Sequence, residues 1–196
     1  MTADLRQTLM DALSKTGRAS SDYDLNKDID LPADRKLTPA SVLIAVRAET
    51  GRVILTKRSA KLKHHPGQIA FAGGKQDAGD ADAVAAALRE AREEIGLMPD
   101  YVEVLGTLPA HETVTGYAVT PVIALVHGAF SATPEAGEVA EVFEVPLTHV
   151  TTPDNFRIEG RHWQGRRRQY YVVSFGPYYI WGATARILRA LADRVT

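Results

Sequence analysis

A mixed α/β/α sandwich is the fold class this sequence predicts, and three observations predict it. Apolar or alternating runs at 41–47, 52–57, 102–108, 117–126 and 141–145 have the length and patterning of strands. A well-marked helix at about 81–95 falls among them, and further helical segments lie towards both ends of the chain. Strands around a central helix, with helices outside, build such layers. At 196 residues, 45% of them hydrophobic, the chain suits one domain with a sizeable core.

In chain order, residues 1–16 predict a short amphipathic helix, because Leu5, Leu9 and Leu13 recur every four residues. Residues 17–40 are polar and end in Leu37-Thr38-Pro39, which reads as an ordered linker wrapped on the domain. Residues 1–37 therefore form an N-terminal helix and linker, and 38–196 the main domain. Ser41–Arg47 and Arg52–Lys57 flank Glu49-Thr50-Gly51-Arg52 and predict a β-hairpin. Phe71-Ala72-Gly73-Gly74-Lys75 reads as a glycine turn. From there the chain runs through Asp77, Asp80 and Asp82, of which Asp80 or Asp82 suits a helix N-cap. Residues 156–163 and 167–174 flank Trp163-Gln164-Gly165-Arg166 as a second hairpin, and a final helix at about 181–193 carries Ile187, Leu188 and Leu191. No internal repeat or low-complexity tract interrupts this order.

Composition excludes several functions. A net charge of −1 argues against a general nucleic-acid binder or a membrane-surface protein, which are usually basic. The absence of cysteine removes disulfides and thiolate metal sites. No secretory pattern opens the chain, and no run of about 18 apolar residues could span a bilayer. A cytoplasmic location is expected.

The chemistry concentrates in Arg89-Glu90-Ala91-Arg92-Glu93-Glu94-Ile95-Gly96-Leu97. Like charges at i,i+4 repel, so Glu90 and Glu94 need something to neutralise them. At about 100° per residue, Val84, Leu88, Ala91 and Ile95 fall within roughly 60° and form an apolar stripe. Glu90 and Glu94 share one flank of it, about 40° apart, while Glu93 turns further towards solvent. Two carboxylates at the edge of a buried face can share a hard divalent cation, which prefers oxygen ligands. An isolated run of this kind is ordinarily a solvated acidic face. The glycine turn and acidic loop before it reverse that expectation.

Glycine loop, acidic turn and R-E-x-x-E-E-x-G helix together resemble the Nudix box, G-x5-E-x7-R-E-U-x-E-E-x-G-U with U aliphatic. The second half matches from Arg89 to Leu97, with Ala91 at the first U. The first half departs: counting from Gly74, Asp80 stands where glutamate is usual, and eight residues rather than seven precede Arg89. Leu55, Thr56, Arg58, Ser59, Gly67, Phe71, Gly73 and Gly74 resemble the motif of the coenzyme A pyrophosphatase branch, L-L-T-x-R-[SA]-x3-R-x3-G-x3-F-P-G-G. Ile54, Lys63 and Ala72 replace its usual Leu, Arg and Pro. The likeness continues through 113–117, 119–122, 138–147 and 180–185, and spans roughly residues 38–193.

The resemblance implies a Nudix-type α/β/α sandwich and hydrolysis of coenzyme A or its thioesters into 3′,5′-ADP and a 4′-phosphopantetheine. It implies Mg²⁺ or Mn²⁺ held by Glu90 and Glu94, with Glu93 completing the cluster and the Gly74 carbonyl as a further ligand. Arg89 is expected to pair with Asp77 or Asp80 and not to touch substrate. A glutamate beyond the box is expected as general base, with Glu138 ahead of Glu141 and Glu135. Substrate contacts are expected from Phe71, Gly73, Gly74, Arg58 and Lys63. His64 and His65 could meet the phosphates or the nucleotide, although a polar loop is the favoured reading. Arg166-Arg167-Arg168 reads as a basic hairpin from which Arg167 could grip the 3′-phosphate. Tyr170-Tyr171, Pro177-Tyr178-Tyr179 and Trp181 read chiefly as packing. The same chemistry on ADP-ribose, NADH or an oxidised nucleotide is the alternative, and a non-catalytic nucleotide-binding module a third reading. A homodimer built partly from the N-terminal segment is plausible.

Overall fold

The computed structural model describes residues 2–29, 31–32, 34–163 and 165–195. Its elements, in chain order, are α1 (Thr2–Ser14), β1 (Ser20–Ser21), β2 (Thr38–Arg47), β3 (Arg52–Arg58), β4 (Ile69–Ala70), β5 (Ala72–Lys75) and α2 (Ala83–Ile95). They continue with β6 (Val102–Thr107), β7 (His111–Glu112), β8 (Tyr117–Val126), β9 (Val139–Pro146) and α3 (Leu147–Val150). The last are β10 (Phe156–Trp163), β11 (Arg166–Phe175), β12 (Tyr178–Trp181) and α4 (Gly182–Val195). Gln164, at the tip of the expected second hairpin, and Asp30 of the linker lie outside the described residues.

Nine of these strands, among the described residues, form one mixed sheet whose spine runs β1-β7-β8-β2-β3-β4, with β5 on β2, β6 on β8 and β9 on β3. β2 and β8 run parallel from Thr38↔Tyr117 to Arg47↔Val126. Both strands are covered on both faces, which is why Val42-Leu43-Ile44-Ala45-Val46 and Pro121-Val122-Ile123-Ala124-Leu125-Val126 read as continuous apolar runs. Leu43, Ala45, Ile54, Val122 and Ala124 pack under α2 with Ala87, Ala91 and Ile95. Ile44, Val46, Val53, Leu55, Ile123 and Leu125 face the other way, against Leu9 and Ala12 of α1 and Ile187, Leu188 and Leu191 of α4. The sandwich is α/β/α, with α2 covering one face of the sheet rather than standing at its centre. Each large aliphatic side chain buried there stabilises the fold by about 1.5–3 kcal/mol.

β10, β11 and β12 form a separate antiparallel sheet, and α4 follows it directly. Thr184 Oγ1, in the first turn of α4, donates to the Ile69 carbonyl at 3.0 Å and ties this part of the chain to β4. Among the described residues no helix is long and apolar enough to cross a membrane.

Candidate active site

The expected β2–β3 hairpin exists only at its tip, where Val46 pairs with Val53. Beyond that point the strands part, β2 towards β8 and β5, β3 towards β9 and β4. The Ala72–Lys75 segment pairs with β2 from Leu43↔Ala72 to Ala40↔Lys75, so the expected glycine turn is a strand. Its glycines meet neighbours too close for a side chain. Gly73 has φ +155°, and a Cβ there would clash with the Ser41 carbonyl oxygen. A Cβ on Gly74 would come within 2.5 Å of Glu90 Oε1.

α2 lies across this floor. Asp82 is its N-cap, accepting from Ala85 N at 2.8 Å, and Gly96 ends it in the left-handed conformation at φ 72°. Asp80 instead serves the loop: it accepts from Asp77 N at 2.8 Å and pairs with Arg89 at 3.0 and 2.9 Å. Arg89 also donates to the Lys75 carbonyl at 3.1 Å and to Glu90 and Glu93 at 3.0 Å each, so one guanidinium joins β5, the acidic loop and the helix. Glu94 is only 4% exposed and accepts from Gly73 N at 3.1 Å. Burial, opposed by that bond and reinforced by the charges of Glu90 and Glu138, pushes its pKa up to about 7. Burial likewise raises the pKa of Glu90, against the pull of Arg89.

These groups open into a cleft of about 840 Å³. Glu90, Glu94 and Glu138 form an acidic wall, and Arg58, His64, His65 and Gln68 a basic and polar one. Thr113, Thr115, Tyr117 and Trp181 also line it. Glu138 arrives through the Ser59 N–H bond to its carbonyl at 2.8 Å, beside a register shift in the β3–β9 ladder at Lys57/Arg58. Such bulges re-aim side chains next to active sites. Asp22, also on the cleft, holds the 113–117 loop by accepting from Val114 N at 2.9 Å and lies 3.1 Å from His111 Nε2.

Comparison with known proteins shows the family. The family profile described as NUDIX domain matches residues 37–167. The chain belongs to the Nudix family. A Citrobacter koseri protein named "Uncharacterized Nudix hydrolase NudL" is 42% identical over 158 residues, 80% of this chain and 82% of the relative. Its Escherichia coli K12 namesake is 41% identical over 157 residues, again 80% and 82%. The NUDIX domain of Shewanella oneidensis NrtR, solved with ADP ribose, superposes with a TM-score of 0.49 at 17% identity, over 87% of this chain and 93% of that one.

Of the residues expected from the sequence, Arg58, Phe71, Gly73, Gly74, Glu90, Glu94 and Glu138 share the cleft lining. Glu93, Arg89, Lys63 and Arg167 are outside it. Arg89 draws Glu93 aside into an i,i+4 pair that leaves the Glu93 side chain 51% exposed. Lys63 is exposed in the loop before β4, and Arg167 turns to the face of β11 opposite Arg168, as neighbours on a strand must. Of the other glutamates, Glu141 accepts from the Tyr178 hydroxyl, and Glu135 accepts from Glu138 N at 2.9 Å.

His64 and His65 lie in the expected polar loop and also line the cleft, with His65 at φ 53°. Trp181 ends β12 instead of heading the last helix, and it lines the cleft rather than only packing. Asp22, in the segment read as a linker, anchors a cleft loop.

Among the described residues no three His, Asp or Glu side chains are gathered into a metal-binding group, and Arg89 pairs with both Glu90 and Glu93. The donors nevertheless fit a hard divalent ion. Glu90 and Glu94 are carboxylates whose pKa values are raised by burial first and then by neighbouring carboxylates, Glu93 and Glu138 for Glu90 and Glu90 and Glu138 for Glu94, the condition a bound cation would relieve.

Proposed function

We propose that this Nudix hydrolase cleaves the pyrophosphate bond of coenzyme A or its thioesters, releasing 3′,5′-ADP and 4′-phosphopantetheine or its acyl form. One observation carries the reading. Arg58, Phe71, Gly73 and Gly74, from the segment resembling the coenzyme A pyrophosphatase motif, line the same cleft as Glu90, Glu94 and Glu138. A cleft of about 840 Å³ is at the large end of ligand sites, which run from about 300 to 1,000 Å³, and suits a substrate longer than a mononucleotide.

Mg²⁺ or Mn²⁺ held by Glu90 and Glu94, with Glu93 and the Gly74 carbonyl as further ligands, would supply Lewis-acid charge at the diphosphate. The protein's own groups do the rest. Gly73 lets β5 lie against β2, where a side chain would meet the Ser41 carbonyl, and Gly74 leaves room beside β5 for the Glu90 carboxylate. Arg58 offers a planar fork to phosphate oxygens and offsets the negative charge of the acidic wall. Glu138, on the cleft and exposed, takes the proton of the attacking water. Arg89 is a positioning residue that holds loop against helix.

Product analysis by mass spectrometry tests this. The protein is incubated with Mg²⁺ or Mn²⁺ and, separately, coenzyme A, ADP-ribose and NADH, with Glu94→Gln as control. Release of 3′,5′-ADP and phosphopantetheine that depends on Glu94 supports the reading. Cleavage of ADP-ribose or NADH alone keeps the chemistry and discards the substrate.

A further inference from the structure

The three-stranded sheet contributes more than Trp181 to the cleft. Register places Arg161 of β10 directly across from Arg168 of β11, and Val172 of β11 across from Trp181 of β12. Directly opposed residues share a face, so Arg161, Arg168, Tyr170 and Trp181 stand on one side of this sheet. The Arg161 guanidinium lies 4.3 Å from the Trp181 ring centroid, and the Tyr170 ring meets Trp181 at 5.2 Å and 59°. Among the described residues Arg161 makes no ion pair within 4 Å with a carboxylate, and its side chain is exposed.

That arrangement has a chemical meaning. An arginine stacked on an aromatic face keeps its row of N–H donors free at the edge while its rotamers are already restricted, so binding a planar or tetrahedral oxyanion orders little more. The stack sits at the cleft, since Trp181 and His65 both line it and the charge of Arg161 is felt at His65. Arg168 adds a second positive charge to the same face and stacks over Tyr23 at 5.3 Å. The cleft thus has an acidic wall suited to a metal-bridged diphosphate and, on the second sheet, a cationic edge that the diphosphate chemistry does not use.

We propose that Arg161, held flat on Trp181, is an anion subsite for a terminal phosphomonoester of the substrate, the 3′-phosphate in coenzyme A. The proposal rests on the coenzyme A reading and gives the expected 3′-phosphate contact to Arg161 in place of Arg167. Arg161 here is a specificity residue, not a catalytic one.

Two measurements separate this subsite from the activity itself. The first is binding of 3′,5′-ADP and 5′-AMP to the wild type and to Arg161→Ala by calorimetry. The wild type is expected to bind 3′,5′-ADP about 10–100-fold tighter than 5′-AMP, in line with charge-assisted phosphate bonds, and Arg161→Ala to lose most of that margin while keeping its affinity for 5′-AMP. The second is kcat/KM on coenzyme A and 3′-dephospho-coenzyme A, where Arg161→Ala loses the same factor through KM on coenzyme A alone. No wild-type preference for 3′,5′-ADP, or equal losses on both members of either pair, overturns the subsite. A wild type that prefers 3′,5′-ADP yet cleaves no coenzyme A keeps the subsite and sinks the substrate assignment. Arg161→Lys, which retains charge without the planar fork, is expected to fall between the two.

Discussion

Arg89 grips Asp80 with two parallel bonds, Nε to Oδ1 at 3.0 Å and Nη2 to Oδ2 at 2.9 Å, and the same guanidinium reaches the Lys75 carbonyl. The pair locks the loop between β5 and α2 onto the helix that carries the carboxylates. Lysine cannot reproduce a bidentate fork, so Arg89→Lys is expected to fail nearly as badly as Arg89→Ala. Both should weaken activation by Mg²⁺ or Mn²⁺ by about 10–100-fold, the usual effect of losing a group that orients metal ligands. A metal titration of activity showing an unchanged midpoint for Arg89→Lys would remove Arg89 from this role.

Glu138 shares the cleft with Glu90 and Glu94, and its charge raises the pKa of both. As general base it should be replaceable by glutamine with little change in KM and a drop in kcat of about 10²–10⁴. Single-turnover kinetics of Glu138→Gln at saturating metal measures this, and near-wild-type kcat rules the assignment out.

Glu94 gives the metal-free protein a pH-dependent stability. Its carboxyl holds a proton to about pH 7 in the folded state, whereas an unfolded chain releases it near 4.5. Between those values the native state binds more protons, so stability falls as pH rises through that window. The full effect is on the order of 3 kcal/mol, and it is complete above pH 7. Chemical denaturation in chelator from pH 5 to 8 should show the decline, Glu94→Gln should flatten it, and a divalent ion should restore stability at the alkaline end.

The two glycines of β5 should separate stability from activity. Gly73→Ala drives a Cβ into the Ser41 backbone at a φ that L-residues avoid, and is expected to lower unfolding free energy by about 1–3 kcal/mol. Gly74→Ala meets only the Glu90 carboxylate, which can swing away, so the fold survives while metal-dependent turnover falls. Thermal melts and kinetics on both variants test the contrast, and a melt of Gly74→Ala lowered as much as that of Gly73→Ala would contradict it.

Much of this was legible in the sequence because it is local. The α2 helix, its cap at Asp82, its stop at Gly96 and the Arg89–Asp80 pairing all follow from residues within one short stretch. Strands β6, β8, β9 and β10 were likewise readable from unbroken apolar or alternating runs. What escaped depends on pairing across the chain. Gly73 and Gly74 look like a turn until β2 parts from β3 and leaves an edge for them to fill. Asp22 gains its role only because β1 docks beside β7, and Trp181 only because the second sheet folds against β4. Arg161 and Arg167 are indistinguishable by composition, and only strand register decides which faces the tryptophan.

The parallel β2–β8 ladder joins Thr38 to Tyr117, a separation of 117 − 38 = 79 positions, and everything between must be gathered before it can zip. The cleft spreads wider still, taking Asp22 from near the start and Trp181 from near the end. Long-range closure of this kind is slow and comes after local helices have formed. The cleft lining is therefore expected to assemble late in folding. The pairings that complete the fold are thus the same ones that bring Glu90 and Glu94 of α2 into one cleft with Asp22 and Trp181.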